Sequence, residues 1–138
     1  NFLNFTLWNY TPDNTNARGD LWNDEDLSIF SRDQQTGSGD INDGGRALPA
    51  AIRPYAARVP GEPLTTRFDL PSREFQFTFR LNPAVTAPLE VFLPRYHYPN
   101  GAAIQVTRGR VQVDLLNQRL EYWPDAAESI HTLTLRAA

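Results

Sequence analysis

From residue 59 onward, apolar and polar residues alternate in short runs. Phe75, Phe77, Phe79 and Leu81 fall on one face and Gln76, Thr78 and Arg80 on the other. That period of two belongs to a half-buried strand. Leu64–Leu70 is a weaker strand, and Leu89–Leu93 a short one closed by Pro94. Ile104-Gln105-Val106 and Val111-Gln112-Val113 flank Thr107-Arg108-Gly109-Arg110, whose glycine tolerates positive φ, so a hairpin is predicted there. Leu120–Trp123 and Ile130–Leu135 complete the set. Strands spaced roughly 8–15 residues apart without helical periodicity predict an antiparallel β-sandwich of about eight strands.

The first residues follow another pattern. The run Phe2-Leu3-Asn4-Phe5-Thr6-Leu7-Trp8 is apolar on both faces, as in a buried parallel strand, and it opens directly into polar and aromatic residues. In α/β barrels such groups just past a strand's C-terminal end face the substrate. The fold class is therefore mainly β, the sandwich being preceded by a remnant of an α/β (TIM) barrel. An apolar strand with open edges needs cover, so residues 1–10 are expected to pair with another chain or to add an edge to the sandwich. Tyr10–Asp26, rich in Asn, Asp, Pro and Gly, favours turns, and Leu27-Ser28-Ile29-Phe30 is a short apolar patch. Thr36–Gly45 is the linker candidate, and residues 46–55 begin a short helix that Pro54 stops. The division expected is 1–45, the end of a barrel, and 46–138, the sandwich.

Composition sets limits on this. The 138 residues amount to about one domain and are too few for a complete barrel of roughly 250. No apolar run approaches the roughly 20 residues of a membrane span. The chain has no cysteine, so disulfides and thiolate metal sites are excluded. It has no methionine, at position 1 or elsewhere, and is expected to be a piece of a longer product. All 13 basic residues are arginine. Residues 1–45 carry a net −6 and residues 46–138 a net +3, too modest and mixed for a nucleic-acid binder.

Two long segments carry a family resemblance. Leu7-Trp8-Asn9-Tyr10-Thr11-Pro12-Asp13-Asn14, followed by Gly19-Asp20-Leu21-Trp22-Asn23-Asp24-Glu25-Asp26-Leu27-Ser28-Ile29-Phe30-Ser31, resembles the last barrel strand and following loop of family 5 glycoside hydrolases. The similarity is to the subgroup of endoglycoceramidases, glucosylceramidases and steryl-glucosidases, which append a C-terminal β-sandwich. Gly44-Gly45-Arg46, Ile52-Arg53-Pro54-Tyr55-Ala56, Gly61-Glu62-Pro63, Phe68-Asp69, Leu89-Glu90-Val91-Phe92-Leu93-Pro94-Arg95-Tyr96-His97-Tyr98-Pro99-Asn100-Gly101 and Gln118-Arg119-Leu120-Glu121-Tyr122-Trp123 extend it over nearly the whole chain.

The resemblance implies a retaining β-glycosidase whose two glutamates, about 5 Å apart, end the fourth and seventh barrel strands. This chain begins at about the eighth, so it is expected to hold no catalytic residue and to be inactive alone. The parent would hydrolyse a β-glucosidic bond in a glycolipid (glucosylceramide, oligoglycosylceramide or steryl glucoside) or in a related β-glucoside or glucan. Its implied partners are the N-terminal catalytic barrel, that substrate and a peripheral lipid contact. No cofactor, metal, nucleic acid or membrane span is implied, and no compartment is assigned. The rival readings are a stand-alone carbohydrate- or lipid-binding module and a structural accessory domain.

Trp8 is the leading candidate for binding sugar, because an indole face offers C–H bonds a flat apolar platform. In the resemblance, the tryptophan closing the eighth strand lines the sugar subsite; the alternative is a core tryptophan. Asn9 and Tyr10 would add hydrogen bonds or order the loop. Asp20 suits sugar hydroxyls and Trp22 would flank an aglycone. Asp24-Glu25-Asp26 before an apolar run reads instead as a helix N-terminus. The spacing of these acids lacks the pattern of a calcium loop. His97 and His131 have no matched nucleophile and are read as structural. The aromatic knot around His97 is expected to seal the sandwich against the barrel, with Arg95 paired to an acid or stacked on a ring. Asn4-Phe5-Thr6 matches a glycosylation sequon within a strand expected to be buried.

Overall fold

The computed structural model describes residues 5–22 and 24–138. They group into two compact units, residues 5–52 and residues 53–138. Residues 46–52 thus fold with the N-terminal unit.

The C-terminal unit is a β-sandwich. Its strands are β1 (Tyr55–Arg58), β2 (Gly61–Asp69), β3 (Glu74–Leu81), β4 (Leu89–Phe92), β5 (Ala102–Val106), β6 (Gly109–Asp114), β7 (Arg119–Pro124) and β8 (Ile130–Ala137). They form two four-stranded sheets, ordered β1-β4-β7-β6 and β2-β3-β8-β5. Every pairing is antiparallel.

The alternation in β3 sets the core. Phe75, Phe77 and Phe79 are buried and lie in register with Leu135, Leu133 and His131 of β8. The other sheet contributes Leu89 and Val91 from β4 and Leu120 and Tyr122 from β7, all fully buried. Each such side chain contributes roughly 1.5–3 kcal/mol by leaving water. His131 is the polar member of this face. Its Nδ1 lies 2.7 Å from the Tyr122 hydroxyl of the opposite sheet and its Nε2 lies 3.1 Å from the Glu128 carbonyl. Burial pushes the phenols of Tyr122 and Tyr98 up from their ordinary value.

The expected hairpin between Ile104 and Val113 does not form, because its two arms lie in different sheets. Thr107 stays tied to β8: its N–H donates to the Thr132 carbonyl at 3.1 Å and its hydroxyl accepts from the Thr132 N–H at 2.9 Å. One residue on, the Arg108 carbonyl accepts the Tyr122 hydroxyl at 2.7 Å and the Asp125 N–H at 3.1 Å. The chain therefore crosses between sheets at Thr107–Arg108. Gly109 has φ +136°, and a Cβ there would sit 2.1 Å from the Trp123 carbonyl oxygen, so close approach to β7 requires glycine.

The N-terminal unit is almost all loop. Its regular pieces are one 3-10 turn, Arg32–Gln34, and the four-residue helix α1 (Leu48–Ala51), with Pro49 in its first turn. Residues 5–10 form no strand, and Phe5, Leu7, Trp8 and Tyr10 are exposed. A parallel-sheet strand is completed by neighbours on both sides, and among the described residues the backbone of residues 5–10 meets one segment alone, through Asn9 to Leu27 and Ile29. Residues 1–4, with Asn4 of the sequon, lie outside the described residues. Thr36–Gly45 is a loop gathered around Asp43. That carboxylate accepts the N–H groups of Thr36, Gly37 and Ser38 at 2.8–3.2 Å, and these bonds hold it below the usual carboxylate range.

Candidate functional site

Residues 8–30 fold back on themselves through short hydrogen-bonded turns. Asn9 joins the two arms: its N–H donates to the Leu27 carbonyl at 3.4 Å and its carbonyl accepts the Ile29 N–H at 2.8 Å. The Trp8–Asn9 peptide bond is cis. Gly19 has φ +68°, and a Cβ there would meet the Glu25 carbonyl oxygen at 2.4 Å. Only glycine lets the two limbs of the 19–25 loop approach so closely.

Asp20 anchors this loop from inside. It is 8% exposed, and its carboxylate accepts three donors: Asn9 Nδ2 at 3.0 Å, the Trp22 N–H at 3.0 Å and the Leu27 N–H at 3.1 Å. Thr11 Oγ1 donates to Asn9 Oδ1 at 3.2 Å, fixing which way the amide points. Trp8 and Trp22 are left outside, 65% and 55% exposed, edge to face with centroids 6.1 Å apart. Asn9 and Asp20 are thus consumed in holding two solvent-facing indoles side by side. Tyr10 does not join them; its ring lies 5.7 Å from Phe30.

The acids after Trp22 do not begin a helix. Glu25 N–H donates to the Trp22 carbonyl at 2.8 Å, and Asp24 has φ +58°, so the segment is a tight turn. Asp26 faces Arg46 at 2.6 Å, and this guanidinium, with a further bond from Asn14, holds its carboxyl below the ordinary value of 3.8. Asn14 is fully buried, and its Nδ2 also donates to the Phe30 carbonyl at 2.9 Å. Arg46 N–H donates to the Ile29 carbonyl at 2.6 Å and Arg32 N–H to the Asn14 carbonyl at 2.9 Å. Asn14 and Arg46 are the organising residues that the sequence reading passed over. The only signal for them was their place in the resemblance segments.

In the sandwich, the expectation for Arg95 is not met. It is exposed and takes part in no ion pair or ring stack among the described residues; its backbone N–H donates to Gln118 Oε1 at 2.8 Å. His97 is buried, with its ring 4.9 Å from Phe68. Among the described residues, no group of three or more His, Asp or Glu side chains converges as metal ligands.

Comparison with known proteins gives consistent matches. The family described as glycoside hydrolase family 5 C-terminal domain matches residues 53–135. A glucosylceramidase of Rhizopus delemar is 34% identical over 72% of this chain and 16% of its own length. The crystal structure of Cryptococcus neoformans sterylglucosidase 1 superposes on 98% of this chain and 21% of its own, with a TM-score of 0.82 and 33% identity. Endo-glycoceramidase II from Rhodococcus sp. covers 81% of this chain and 23% of its own, with a TM-score of 0.61 and 22% identity, a likeness of fold. The chain spans less than a quarter of each of these relatives.

Proposed function

The chain belongs to the glycoside hydrolase family 5 C-terminal domain family, and on that premise we propose that it is the C-terminal part of a retaining β-glycosidase acting on a β-glucosidic bond of a glycolipid. The observation that carries this reading is the exposed Trp8–Trp22 pair, held by the buried Asn9–Asp20 hydrogen bond. Two rigid indoles side by side form an apolar wall for the C–H faces of a sugar and for the first carbons of its aglycone. Asp20, saturated by three donors, keeps the wall in place and does not touch substrate. A family 5 reaction needs two carboxyl groups about 5 Å apart, one as acid/base and one as nucleophile that forms the covalent glycosyl-enzyme. In this reading both come from the catalytic barrel, and residues 53–138 support that barrel.

Hydrolysis of a synthetic β-glucoside tests the proposal. The longer protein that contains this chain turns the substrate over, and the 138-residue chain alone does not. Turnover by the isolated chain overturns the assignment of the carboxyl pair to the barrel.

A further inference from the structure

His131 is fully buried between the two sheets, in a line of polar contacts with a definite proton count. The line runs from the β5–β6 crossing to the turn between β7 and β8. The Arg108 carbonyl lies 2.7 Å from the Tyr122 hydroxyl, and that hydroxyl 2.7 Å from His131 Nδ1. His131 Nε2 lies 3.1 Å from the Glu128 carbonyl. Both ends of the line are carbonyls, which only accept. Tyr122 brings one proton and a neutral imidazole brings one more. Three contacts would then share two protons, and one contact would set lone pairs against each other. Two oxygens 2.7 Å apart attract only with a proton between them, so the Tyr122 hydroxyl donates to Arg108. Its oxygen is left to accept a proton from Nδ1, while Nε2 donates to Glu128. Filling all three contacts takes both ring protons on His131.

A buried cation needs compensation, and the site supplies it. Both N–H groups meet an oxygen, and the ring lies over Phe79 at 5.5 Å with an interplanar angle of 25°. An aromatic face at that distance attracts positive charge. The charged groups of the neighbouring elements are already matched. At the crossing, the Arg108 guanidinium is paired with Asp125 at 3.0 Å. The Asp125 charge adds to burial in holding the Tyr122 phenol protonated. On β3, exposed Arg80 is paired with Glu62, and the Glu128 side chain is exposed. On the outer face of the other sheet, Glu121 lies 3.8 Å from Arg119 and Glu90 3.7 Å from Arg58, while Arg110 covers the Trp123 ring at 3.9 Å. β4 and β6 set apolar Leu89 and Val111 opposite Tyr122, and β5 sets Val106 opposite Leu133.

We propose that His131 carries both ring protons at neutral pH and is a proton-operated clasp between the two sheets. With the proton in place, β8, β7, the crossing at Arg108 and the turn at Glu128 are joined in one unbroken chain of hydrogen bonds. Once it leaves, Tyr122 has a single proton for two acceptors, and either the crossing or the opposite sheet loses its bond. The sandwich therefore tightens in acid and loosens in base. An unfolded histidine releases its proton near pH ~6.5, so above that value the folded sandwich holds one proton more. Stability then falls as pH rises. This device stands independently of the glycosidase reading.

Nitrogen NMR of the 138-residue chain reads the clasp directly. At neutral pH both ring nitrogens of His131, assigned through its backbone, resonate as protonated nitrogens. In Tyr122→Phe the acceptor for Nδ1 is gone, and that nitrogen resonates as unprotonated. Urea unfolding, followed on the amide signals of β3 and β8, supplies the second reading. The folding equilibrium constant of the wild type falls by up to about tenfold per pH unit above neutrality. Tyr122→Phe loses that slope, and because His97 is present in both chains the difference belongs to His131. An unprotonated ring nitrogen on His131 in the wild type at neutral pH, or equal slopes in the two chains, overturns the proposal. Should Tyr122→Phe fail to fold, the wild-type spectrum decides alone.

Discussion

The two units are held together in opposite ways. Every fully buried large apolar side chain among the described residues lies in the sandwich, from Phe75 to Leu135. The N-terminal unit buries Asn14, Asp20, Ser28 and Ser31 instead. One unit is stabilised by apolar area leaving water, a non-directional effect that tolerates adjustment. The other depends on side chains that satisfy the backbone groups of its turns, an effect that fails bond by bond. The directional unit is also the one that holds two tryptophans out in solvent, since few apolar side chains compete to draw them inward. A surface meant for a ligand gains from that kind of scaffold.

Breaking each network in turn sharpens the contrast. Phe77→Ala removes a ring at the centre of the Phe75-Phe77-Phe79 stack, with centroids 6.5 and 6.0 Å apart. It should destabilise the sandwich by about 3–5 kcal/mol in denaturant unfolding. Asn14→Ala deletes the bonds to Asp26 and the Phe30 carbonyl, for a loss of about 1–3 kcal/mol in the N-terminal unit. The lower end applies because Asn14 Oδ1 is buried without a donor among the described residues and its removal relieves that cost. Near-ultraviolet dichroism of Trp8 and Trp22 follows this unit; an unchanged spectrum and midpoint would mean that Asn14 does not organise it.

Acid gives the smallest effect. Arg46 holds the Asp26 carboxyl below its ordinary value of 3.8, so the folded pKa lies under the unfolded one. The contribution is complete above the unfolded value and fades as pH falls through the folded one. Arg46→Gln should therefore flatten the acid limb of stability of the N-terminal unit while leaving that of the sandwich as it was. Parallel acid limbs in wild type and variant would show that the pair carries no such linkage.

How far the sequence could be read follows the same division. The β3 alternation names its own buried face, because a period of two is a local signal. β1 is not legible in the sequence because Tyr55-Ala56-Ala57-Arg58 has no alternation of its own and is recruited by β4, with Tyr55 opposite Phe92. The mistaken hairpin at Gly109 shows another limit. Its glycine conformation was legible, but which sheet each arm would join depends on Thr132 and Tyr122, which lie beyond the turn in sequence. In the N-terminal unit, Trp8, Asn9, Asp20 and Trp22 could be singled out as residue types. That Asn9 meets Asp20 while Tyr10 turns to Phe30 is decided by bonds across the loop that no periodicity encodes.

The most direct measurement is kcat/KM of the longer protein on a glucosylceramide, with Trp8 and with Trp8→Ala. Trp8 is 65% exposed, so its removal should leave thermal unfolding in place. Loss of the indole wall should lower kcat/KM by about 10- to 100-fold. An unchanged kcat/KM at unchanged stability would contradict the claim that this unit faces the sugar.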